Sequence, residues 1–565
     1  MKRNLILGAA ITATLLAGNA QAITVVSNFP VFDTSAQGDT RVVYLSGASA
    51  AGTFLEKVFT GAGVAADQIC DVTKPIWKFK DNIDGATQKA YLCTQSTTAT
   101  GLTLPNDKAN LLIYKRDEGG SGYGVAPIIA EAKGDNAGAA IEFMKEPIST
   151  NCTGVTVATP PLLTTITCNY SSGDGNNNQK VIPDFGISDV DPGAFKGQNA
   201  PLKTDNITLF SDVTASDVSL LTVVPGAAVV FGVPATLHLY KALQGAQLAM
   251  GTIPGIARNN ANTADVTCAV GNVTDQACMP SLTKQEIATL IKGDWSNWNK
   301  LKVVTGAVGS QVSLGLYDWA VANQAADKPA DPATHICRRE NGSGTQAQLN
   351  NFALNYPCTT ASGQTAPASG NDGINGKTES SGVALIHENS TSGRVTACLN
   401  NLDQGIDPVL ADGFTNTYVG VRWAIGAQAL EKKDANFEFV KVNGVAPTLA
   451  NVANGSYLDW FENTFQYNTN HAKFTTDAGL KLTIDAIIKA ASVPAVMASI
   501  NGGSGLSHGF GNGAYLANPK ANTPVATGIF NLSLPINAYS HTPSASVALD
   551  NCRAPVVYNK SDVGL

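Results

Sequence analysis

Charged side chains are scarce in this sequence. Asp, Glu, Lys and Arg make up 14% of the 565 residues, whereas a typical globular domain contains about a quarter. Acidic residues outnumber basic ones by 44 to 37, which gives a formal net charge of −7. A chain with this balance lacks the basic surface that attracts nucleic acids or anionic membranes. We therefore expect no nucleic-acid partner.

Long hydrophobic runs are missing from most of the chain. The stretch VVPGAAVVFGVPATL is interrupted by Pro225 and Pro234 and is too short to cross a bilayer, so we expect no direct membrane insertion. Residues 1–22 combine a basic start, an apolar run and a final AQA, which is the pattern of a signal peptide. The mature chain is therefore predicted to start near Ile23 and to be periplasmic or secreted.

Histidine is rare, and no two cysteines have the C-x-x-C spacing. With six histidines spread along the chain, the sequence predicts no metal site and no cofactor. Ten cysteines, an even number, follow the predicted signal peptide and favour up to five disulfides in an oxidising compartment. Pairing by proximity in sequence predicts the bonds Cys70–Cys93, Cys152–Cys168, Cys268–Cys278, Cys337–Cys358 and Cys398–Cys552.

Two segments have the pattern of a strand, a turn of small residues and a helix. RVVYLSGASAAGTFLEKVFTG predicts a strand over residues 41–45 and then a helix, and ANLLIYKRDEGGSGYGVAPIIAEA predicts a second unit whose helix begins near Gly124. The first helix has four apolar residues on one face, namely Phe54, Leu55, Val58 and Phe59. Such units in series predict an α/β protein with mainly parallel sheets. Polar insertions that carry cysteines lie near 67–108 and 147–180.

The stretch CRRENGSGTQAQLNNF places two arginines before a glycine turn and a helix that we expect to begin at Gly344 or Thr345. The free N–H groups and the positive dipole end of a first helical turn favour an anion. Ser343 and Thr345 can add hydroxyl donors, and Arg339 offers planar, bidentate donors that suit a tetrahedral oxyanion. These residues fit a second interpretation equally well, in which Ser343 caps a helix and both arginines make surface ion pairs.

Further turns could bring more helix N-termini to the same ligand. They are SGASAAGTF at residues 46–54 and GGSGYG at residues 119–124. Asp189, in IPDFGISDVDPGAF, also follows a short apolar strand. A carboxylate beside an anion is costly because like charges repel, unless the ligand donates a proton to it. Asp189 alone also fits an Asx turn or a helix cap.

The segment MPSLTKQEIATLIKGDWSNWNKL predicts a helix that Thr283 and Glu286 begin with a capping box. Its SLTK matches the S-x-x-K of serine acyl-transferases, but the partner motifs of such enzymes are not evident, and a helix cap explains the residues. The sequence contains no H-E-x-x-H and no Walker lysine after its glycine turns. We therefore expect a binding protein and not an enzyme.

In their order along the chain, these motifs resemble those of the periplasmic phosphate-binding proteins of ABC transporters, a branch of the type 2 periplasmic binding proteins. The matching stretches cover residues 41–355 discontinuously and are YLSGASAAGTF, YKRDEGGSGYG, DFGISD, LTKQEIATLIKGDWSNWNKL and CRRENGSGTQAQLNNF. A weaker match, TNTYVGVRWAIGAQALEKKD, is expected to form the strand and helix where the chain returns to the first lobe.

The resemblance implies an α/β fold of two lobes with a hinge, an interlobe ligand cleft and disulfide-bearing insertions. The implied organisation is a signal peptide at 1–22, lobe one at 23–222, lobe two at 223–417, a return to lobe one at 418–499 and a C-terminal extension at 500–565. The insertions near 67–108 and 147–180 fall in lobe one. The hinges are expected near Leu221 and Tyr418.

The implied function is capture of inorganic phosphate, or of a similar tetrahedral oxyanion, for ABC-type uptake or scavenging, with a membrane permease as partner. Asp189 would accept the proton of hydrogen phosphate, which is how this family rejects fully ionised sulfate. In the arginine turn, the family's oxygen-binding positions correspond to Arg339, Ser343, Gly344 and Thr345. In the second turn, GGSGYG, they correspond to Gly120 or Ser121. In the first turn, SGASAAGTF, they correspond to Ala51 and Gly52, or to Thr53 after a two-residue shift.

Two positions depart from the family's pattern. Gly120 replaces a serine, and Asn341 replaces an aspartate that pairs with the arginine. Together with the low charge, the many cysteines and the C-terminal extension, these departures also fit another function. In that alternative, the chain is a secreted surface, adhesion or matrix protein that reuses the fold without transport.

Overall fold

The computed structural model describes most of the chain after the predicted signal peptide. The described residues are 23–26, 29–59, 62–82, 87–157, 163–170, 177–201, 212–358, 365–370, 382–406, 420–503, 506–519, 530–544 and 546–558. The predicted signal peptide, residues 1–22, and the predicted hinge residue Tyr418 lie outside these ranges.

The α-helices are short and spread along the chain. Their bounds are α1 Gly52–Phe59, α2 Ala126–Ala132, α3 Asn136–Ala139, α4 Ala215–Val218, α5 Leu237–Ala249, α6 Lys284–Ile291, α7 Leu316–Asn323, α8 Gly344–Leu354, α9 Ser392–Gln404, α10 Leu449–Ala453, α11 Lys473–Thr476, α12 Ala478–Ala490 and α13 Pro494–Asn501.

The strands include many that have only two to four residues. Their bounds are β1 Thr24–Val26, β2 Phe29–Val31, β3 Thr40–Gly47, β4 Ile76–Asp81, β5 Gln88–Thr94, β6 Asn110–Arg116, β7 Ile141–Met144, β8 Cys152–Val157, β9 Leu163–Cys168, β10 Asn178–Val181, β11 Phe185–Ser188, β12 Leu221–Gly232, β13 Pro234–Thr236, β14 Ile256–Arg258, β15 Asp265–Thr267, β16 Ser281–Leu282, β17 Lys302–Thr305, β18 Val312–Gly315, β19 His335–Arg339, β20 Leu385–Asn389, β21 Ala424–Gly426, β22 Gln428–Ala429, β23 Phe437–Phe439, β24 Lys441–Val442, β25 Trp460–Asn468, β26 Ser507–His508, β27 Gly511–Asn512, β28 Tyr515–Leu516, β29 Tyr539–Ser540 and β30 Val556–Val557.

A large, mixed sheet contains the predicted strand-turn-helix units. Its order is β22-β12-β25-β11-β3-β6-β5-β4-β9-β8, and β28 also pairs with β12. The pairs β11–β3, β3–β6 and β4–β9 are parallel, and the other seven pairs among the described strands are antiparallel. The prediction of mainly parallel sheets is therefore wrong. Residues 67–108, which the sequence predicts as an insertion, contain the antiparallel hairpin β4–β5, in which a short connection reverses the direction of the chain.

A small sheet has the order β20-β19-β21-β13-β23. The chain passes from the large sheet to the small one at Val233, between β12 and β13, and passes back at Ala427, between β21 and β22, although the later strand β23 belongs to the small sheet again. Both residues are buried. The predicted lobe boundaries, after residues 222 and 417, precede these two crossings and stay predictions.

Separate apolar cores lie around the two sheets. The core of the large sheet includes Phe54 of α1 and Phe465 of β25, whereas the core of the small sheet includes Trp298 and Trp423. The four apolar residues predicted on one face of α1 are all buried, which confirms that prediction. The strand predicted over residues 41–45 is present as β3. Local hydrophobic periodicity was sufficient to identify this unit.

The segment after residue 420 differs from its prediction. A strand was expected there and is present as β21, but the predicted helix in GAQALEKKD is absent from residues 426–434, all of which are described. Instead, Gln428 and Ala429 form β22, which pairs with Gly232 and Phe231 of β12. Pairing with the edge of the large sheet outweighs the helix propensity of this alanine-containing segment.

Five disulfides connect the ten cysteines. Three have the predicted pairing, Cys70–Cys93, Cys152–Cys168 and Cys268–Cys278. The other two predicted pairs are wrong, because the structure joins Cys337 to Cys398 and Cys358 to Cys552. Proximity in sequence fails for these bonds because the fold brings together residues that are 61 and 194 positions apart. Five disulfides suit an extracellular or periplasmic location.

The described residues contain no single helix that could span a membrane and no cluster of side chains that could hold a metal ion. No single helix there is both long and apolar enough to cross a bilayer, although the bent pair α12 and α13 meets the criteria of length and composition together, with an angle of 59°. No group of three or more His, Cys, Asp or Glu side chains in the same part of the chain could hold a metal ion.

Candidate functional site

The arginine turn joins β19 to α8. Arg339 is the last residue of β19, and Gly344 is the first of α8, which agrees with the predicted helix start. Ser343 is the N-cap, and its hydroxyl accepts a hydrogen bond of 3.4 Å from the N–H of Gln346. The interpretation of Ser343 as a cap is therefore correct. Its hydroxyl lies in the same turn as the predicted anion donors.

The guanidinium of Arg339 is buried and bonds to neutral oxygens. Its Nη1 donates to the hydroxyls of Ser49, at 2.8 Å, and Ser392, at 3.1 Å. Its Nη2 donates to the carbonyl of Ser390 and its Nε to that of Asn389, at 2.8 and 3.1 Å. The two serine hydroxyls are 3.4 Å apart. These contacts fix the direction of the guanidinium and place two hydroxyl groups beside it.

Arg338 and Arg339 are both buried, so the interpretation of both as surface residues is wrong. The predicted ion pair is present for Arg338, whose Nε lies 3.7 Å from Oε1 of Glu388. Asn341, which replaces the family's aspartate, accepts a hydrogen bond of 3.1 Å from Nη2 of Arg338. The carbonyls of residues 389 and 390 restrain Arg339 instead. The change to Asn341 therefore leaves the orientation of Arg339 defined.

Asp189 is buried immediately after β11. Its Oδ2 accepts hydrogen bonds from the hydroxyls of Ser121, at 3.4 Å, and Thr345, at 3.2 Å, and its N–H donates to Ser121 at 3.1 Å. Its Oδ1 is also buried and has no hydrogen-bond partner among the described residues. Leaving a buried acceptor without a donor costs about 1–3 kcal/mol. The carboxylate therefore has an unused acceptor within the site.

Burial dominates the electrostatics of the two charged residues. It raises the pKa of Asp189 to about 6, although the charge of Arg339 and the hydrogen bond from Thr345 act in the opposite direction. Burial also lowers the pKa of Arg339, against the attraction of Glu340 and Asp189. Arg339 and Asp189 thus affect each other's pKa. Arg339 keeps the hydroxyls of Ser49 and Ser392 as partners, and Asp189 keeps those of Ser121 and Thr345.

The second turn places Ser121, and not Gly120, in contact with Asp189. Gly120 has a positive φ of 65°, and a Cβ there would lie 3.0 Å from Cα of Ser343. A serine at position 120 would therefore crowd the arginine turn. Ser121 supplies the hydroxyl from the next position, and the N–H of Gly122 donates a bond of 2.7 Å to the carbonyl of Gly342. The two glycine turns are in direct contact.

Close packing also requires Gly344. A Cβ there would lie 2.3 Å from Oγ of Ser121 and 2.8 Å from Cβ of Asp189. These distances are too short for any side chain to fit without a shift of both neighbours. The first residue of α8 is therefore a glycine because the Asp189 turn lies directly against it.

The first turn contributes a residue that the sequence analysis did not select. Ala51 is buried, Gly52 begins α1 and is partly buried, and Thr53 is exposed. The residue of this turn that contacts Arg339 is Ser49. Ser49 could have been selected from its position within SGASAAGTF, because any hydroxyl in a turn of small residues before a helix is a candidate donor to an anion.

Ser392 was also missed. It is the first residue of α9, and Thr391 caps that helix through a hydrogen bond from the N–H of Arg394. The stretch LIHENSTSGRVTACLNNL has the same order of strand, small polar turn and helix as the selected motifs. That repeated order could have identified it.

The helix capping box was predicted correctly. Thr283 accepts from the N–H of Glu286 at 3.2 Å, and the Glu286 carboxylate accepts from the N–H of Thr283 at 2.7 Å. In the SLTK match, Ser281 lies on β16, and its N–H donates to the side-chain oxygen of Gln247 at 2.9 Å. The segment is explained by capping and packing.

Comparison with known proteins gives distant structural neighbours. No protein-family model matches the sequence, and no curated protein matches it. A protein from Clostridium perfringens assigned as a phosphate ABC transporter substrate-binding protein, solved with bound phosphate, has 15% identity and a TM-score of 0.26, covering 65% of this chain and 89% of its own.

Other solved structures give similar values. An ABC-type phosphate transport receptor from Vibrio cholerae has 12% identity and a TM-score of 0.24, and covers 58% of this chain and 86% of its own. PstS from Borrelia burgdorferi has 11% identity and a TM-score of 0.21, and covers 57% and 80%. The similarity to all three structures is distant.

Proposed function

We propose that the protein captures inorganic phosphate, or a similar tetrahedral oxyanion, between Arg339 and Asp189. The supporting observation is the unused Oδ1 of Asp189, a buried acceptor that lies in the same site as a buried guanidinium. A ligand that carries both a proton and negative oxygens would complement the two groups together. Hydrogen phosphate has this combination.

The hydroxyl groups support an anion as the ligand. Ser49 and Ser392 accept hydrogen bonds from Arg339, so the hydroxyl protons of these serines can turn toward another acceptor. Thr345 and Ser121 lie on the side of Asp189. Replacing the hydration of an oxyanion requires several fixed donors at once. The P–OH group would donate to Asp189, which a fully ionised sulfate cannot do.

The ligand would enter by separation of the elements that meet at the site. Arg339 and Thr345 belong to the small-sheet side, whereas Asp189 and Ser121 follow strands of the large sheet. Closure of two lobes around the anion would bring donors from both sides onto it, as hinge-bending proteins do. Such a closure would correspond to the two-lobed arrangement with an interlobe cleft that the resemblance implies.

The cellular role would be capture outside the cytoplasm. The five disulfides suit an oxidising compartment, and the first 22 residues have the pattern of a signal peptide. A periplasmic or secreted phosphate-binding protein would deliver its ligand to a membrane ABC permease or retain it by scavenging.

Binding without catalysis fits the surroundings of the hydroxyls. His335, the histidine nearest in sequence to the arginine turn, stacks on His387, and Nδ1 of His335 lies 2.9 Å from Nε2 of His387. The stretch GLSHG matches the nucleophile pattern G-x-S-x-G. However, Ser507 lies in the β26–β27 hairpin and not at the strand-to-helix turn that such a nucleophile needs.

One observation favours the alternative of a surface, adhesion or matrix protein. The donors of Arg339 already bond to protein oxygens, and the site residues are buried. A scaffold that no longer binds an anion would need such internal partners for its arginine. The two functions differ in whether phosphate can displace these contacts.

Calorimetric titration distinguishes the two functions. The mature protein would be unfolded and refolded to remove bound ligand, and then titrated with phosphate and with sulfate. Binding of phosphate with a dissociation constant in the micromolar range or below, with little binding of sulfate, is the expected result. Absence of heat with both anions would reject the proposed function and favour the surface protein.

A further inference from the structure

The C-terminal segment contacts both sides of the candidate site. The N–H of Asp191 donates to Oδ1 of Asn551 at 2.6 Å, and the N–H of Asn551 donates to Oδ2 of Asp191 at 3.0 Å. The next residue, Cys552, forms a disulfide with Cys358. Asp191 lies two residues after Asp189, and Cys358 lies just beyond the end of α8. Consecutive residues of one segment therefore join the two elements that meet at the site.

The same segment is anchored to the large sheet. Glu462 of β25 accepts hydrogen bonds from the hydroxyl of Ser540, at 2.7 Å, and from the N–H of His541, at 2.9 Å. Its other oxygen lies 2.7 Å from Nδ1 of His541, and Nη1 of Arg553 donates to the His541 carbonyl at 2.9 Å. Glu462, Ser540 and His541 are buried. The segment is thus attached covalently just beyond the C-terminal end of α8 and by hydrogen bonds to β25 of the large sheet.

Opening of the site would have to overcome these attachments. The direct contacts across the site are the apolar packing of Ala347 on α8 in one cluster with Val190 and single hydrogen bonds, such as those from Gly122 to Gly342 and from Thr345 to Asp189. Each contributes about 1 kcal/mol and can break thermally. The disulfide cannot break in this way. Separation of α8 from the Asp189 turn therefore also requires the paired hydrogen bonds between Asn551 and Asp191 to break.

We propose that residues 539–544 and 546–558 form a strap that ties the Asp189 turn to α8 and limits the opening of the site. The inference rests on the proposed function for the identity of the ligand, but the restraint acts on the empty site as well. With the strap intact, the anion would enter and leave slowly. The strap would favour retention of the ligand over rapid exchange.

The covalent end of the strap is accessible to solvent. Cys552 is exposed and Cys358 is partly buried, whereas the cysteines of the other four disulfides are buried. A small dithiol would therefore reduce this bond first. The dithiol gives up two electrons and two protons and becomes a disulfide, and Cys358 and Cys552 become two thiols. The remaining disulfides would keep the cores intact.

Amide hydrogen exchange of the ligand-free protein tests the strap. The variant Cys358→Ser/Cys552→Ser removes its covalent end, and Cys268→Ser/Cys278→Ser is the control, because that bond joins residues only ten positions apart. Peptides that cover residues 185–191 and 339–346 should exchange about tenfold faster or more in the first variant and at the wild-type rate in the control. Equal rates in the strap variant and the wild type would overturn the proposal.

A second measurement applies if the strap variant does not fold. Folded wild-type protein would be treated with a low concentration of dithiol, and thiol labelling would identify the reduced cysteines. Labelling confined to Cys358 and Cys552 with faster exchange in the same peptides supports the strap, and unchanged exchange after that reduction overturns it. Failure of phosphate to bind would reject only the proposed function, because the exchange measurement needs no ligand.

Discussion

Nη1 of Arg339 donates a hydrogen bond of 2.8 Å to the hydroxyl of Ser49, although 290 positions separate the two residues in the sequence. The arginine ends a strand of the small sheet, and the serine lies in the turn between β3 and α1 of the large-sheet region. This contact shows that the first turn and the arginine turn meet. Substitutions at these two positions therefore test one site from both sides.

Substitution of Arg339 should abolish most of the phosphate affinity. Arg339→Gln removes a buried positive charge and its planar donors, so we expect affinity to fall about thirtyfold or more, which corresponds to at least about 2 kcal/mol. Calorimetric titration measures the change. Arg394→Gln is the matched control, because Arg394 lies on α9 two residues after Ser392 and is only partly buried. Equal affinity in both variants and the wild type would reject the assignment of Arg339.

The serine hydroxyls should contribute less than the arginine. Ser49→Ala and Ser392→Ala each remove one hydroxyl that would donate a hydrogen bond to the anion. We expect each variant to bind phosphate about fivefold more weakly, a loss of about 1 kcal/mol. Thr53→Ala should leave binding unchanged because Thr53 is exposed. Titration of the three variants also decides between the two alignments of the first turn. A large loss in Thr53→Ala with none in Ser49→Ala would contradict the site geometry described here.

Local sequence signals predicted the local parts of this fold. The buried face of α1, the capping box at Thr283 and the start of α8 depend on residues within a few positions of one another. Small polar turns mark Ser49 and Ser392 as candidate donors, but their contacts with Arg339 could not be predicted from local signals, because strand order brings them to it. The same reason explains the two wrong disulfide predictions, because the fold joins cysteines that are 61 and 194 positions apart.

The resemblance pointed to several residues of the candidate site but not to the hydrogen bonds among them. Those residues are Arg339, Asp189, Ser121 and Thr345. In the structure, Arg339 contacts the hydroxyl of Ser49, and Asp189 contacts the hydroxyls of Ser121 and Thr345. Whether these residues bind an anion stays a prediction. The role of Ser121 depends on the positive φ of Gly120 and the crowding at Ser343. Such backbone geometry cannot be inferred from the residue types alone.

Asp189→Asn should alter stability in a pH-dependent manner. The pKa of Asp189 is about 6 in the folded protein and lower in the unfolded chain, so the folded state binds this proton more tightly. The stabilisation is present below the unfolded pKa and is lost as pH rises through 6, when the buried carboxylate becomes charged. The neutral variant should therefore gain roughly 1–3 kcal/mol over the wild type at about pH 8 and almost nothing at about pH 4.

Urea denaturation of both proteins at these two pH values measures the difference, and other titrating groups cancel in the comparison. A stability difference that does not change with pH would show that Asp189 ionises normally in the folded protein. Adding phosphate at the higher pH should stabilise the wild type, since the ligand supplies the proton donor that Asp189 lacks.

The disulfide Cys337–Cys398 should stabilise both the fold and the site. It joins β19, which ends in Arg339, to α9, which begins with Ser392. Because the bond closes 61 residues, the loop-entropy relation gives a loss of about 4 kcal/mol for Cys337→Ala/Cys398→Ala. The variant should unfold at lower urea concentration and bind phosphate more weakly, since Arg339 and Ser392 are no longer held in register.

The matched control is Cys152→Ala/Cys168→Ala, whose bond lies between β8 and β9 of the insertion. It should also lower the free energy of unfolding, but phosphate affinity should remain that of the wild type. If both variants lose affinity in proportion to their loss of stability, Cys337–Cys398 has no specific role at the site. A loss of affinity confined to Cys337→Ala/Cys398→Ala would show that the bond positions Arg339 relative to Ser392.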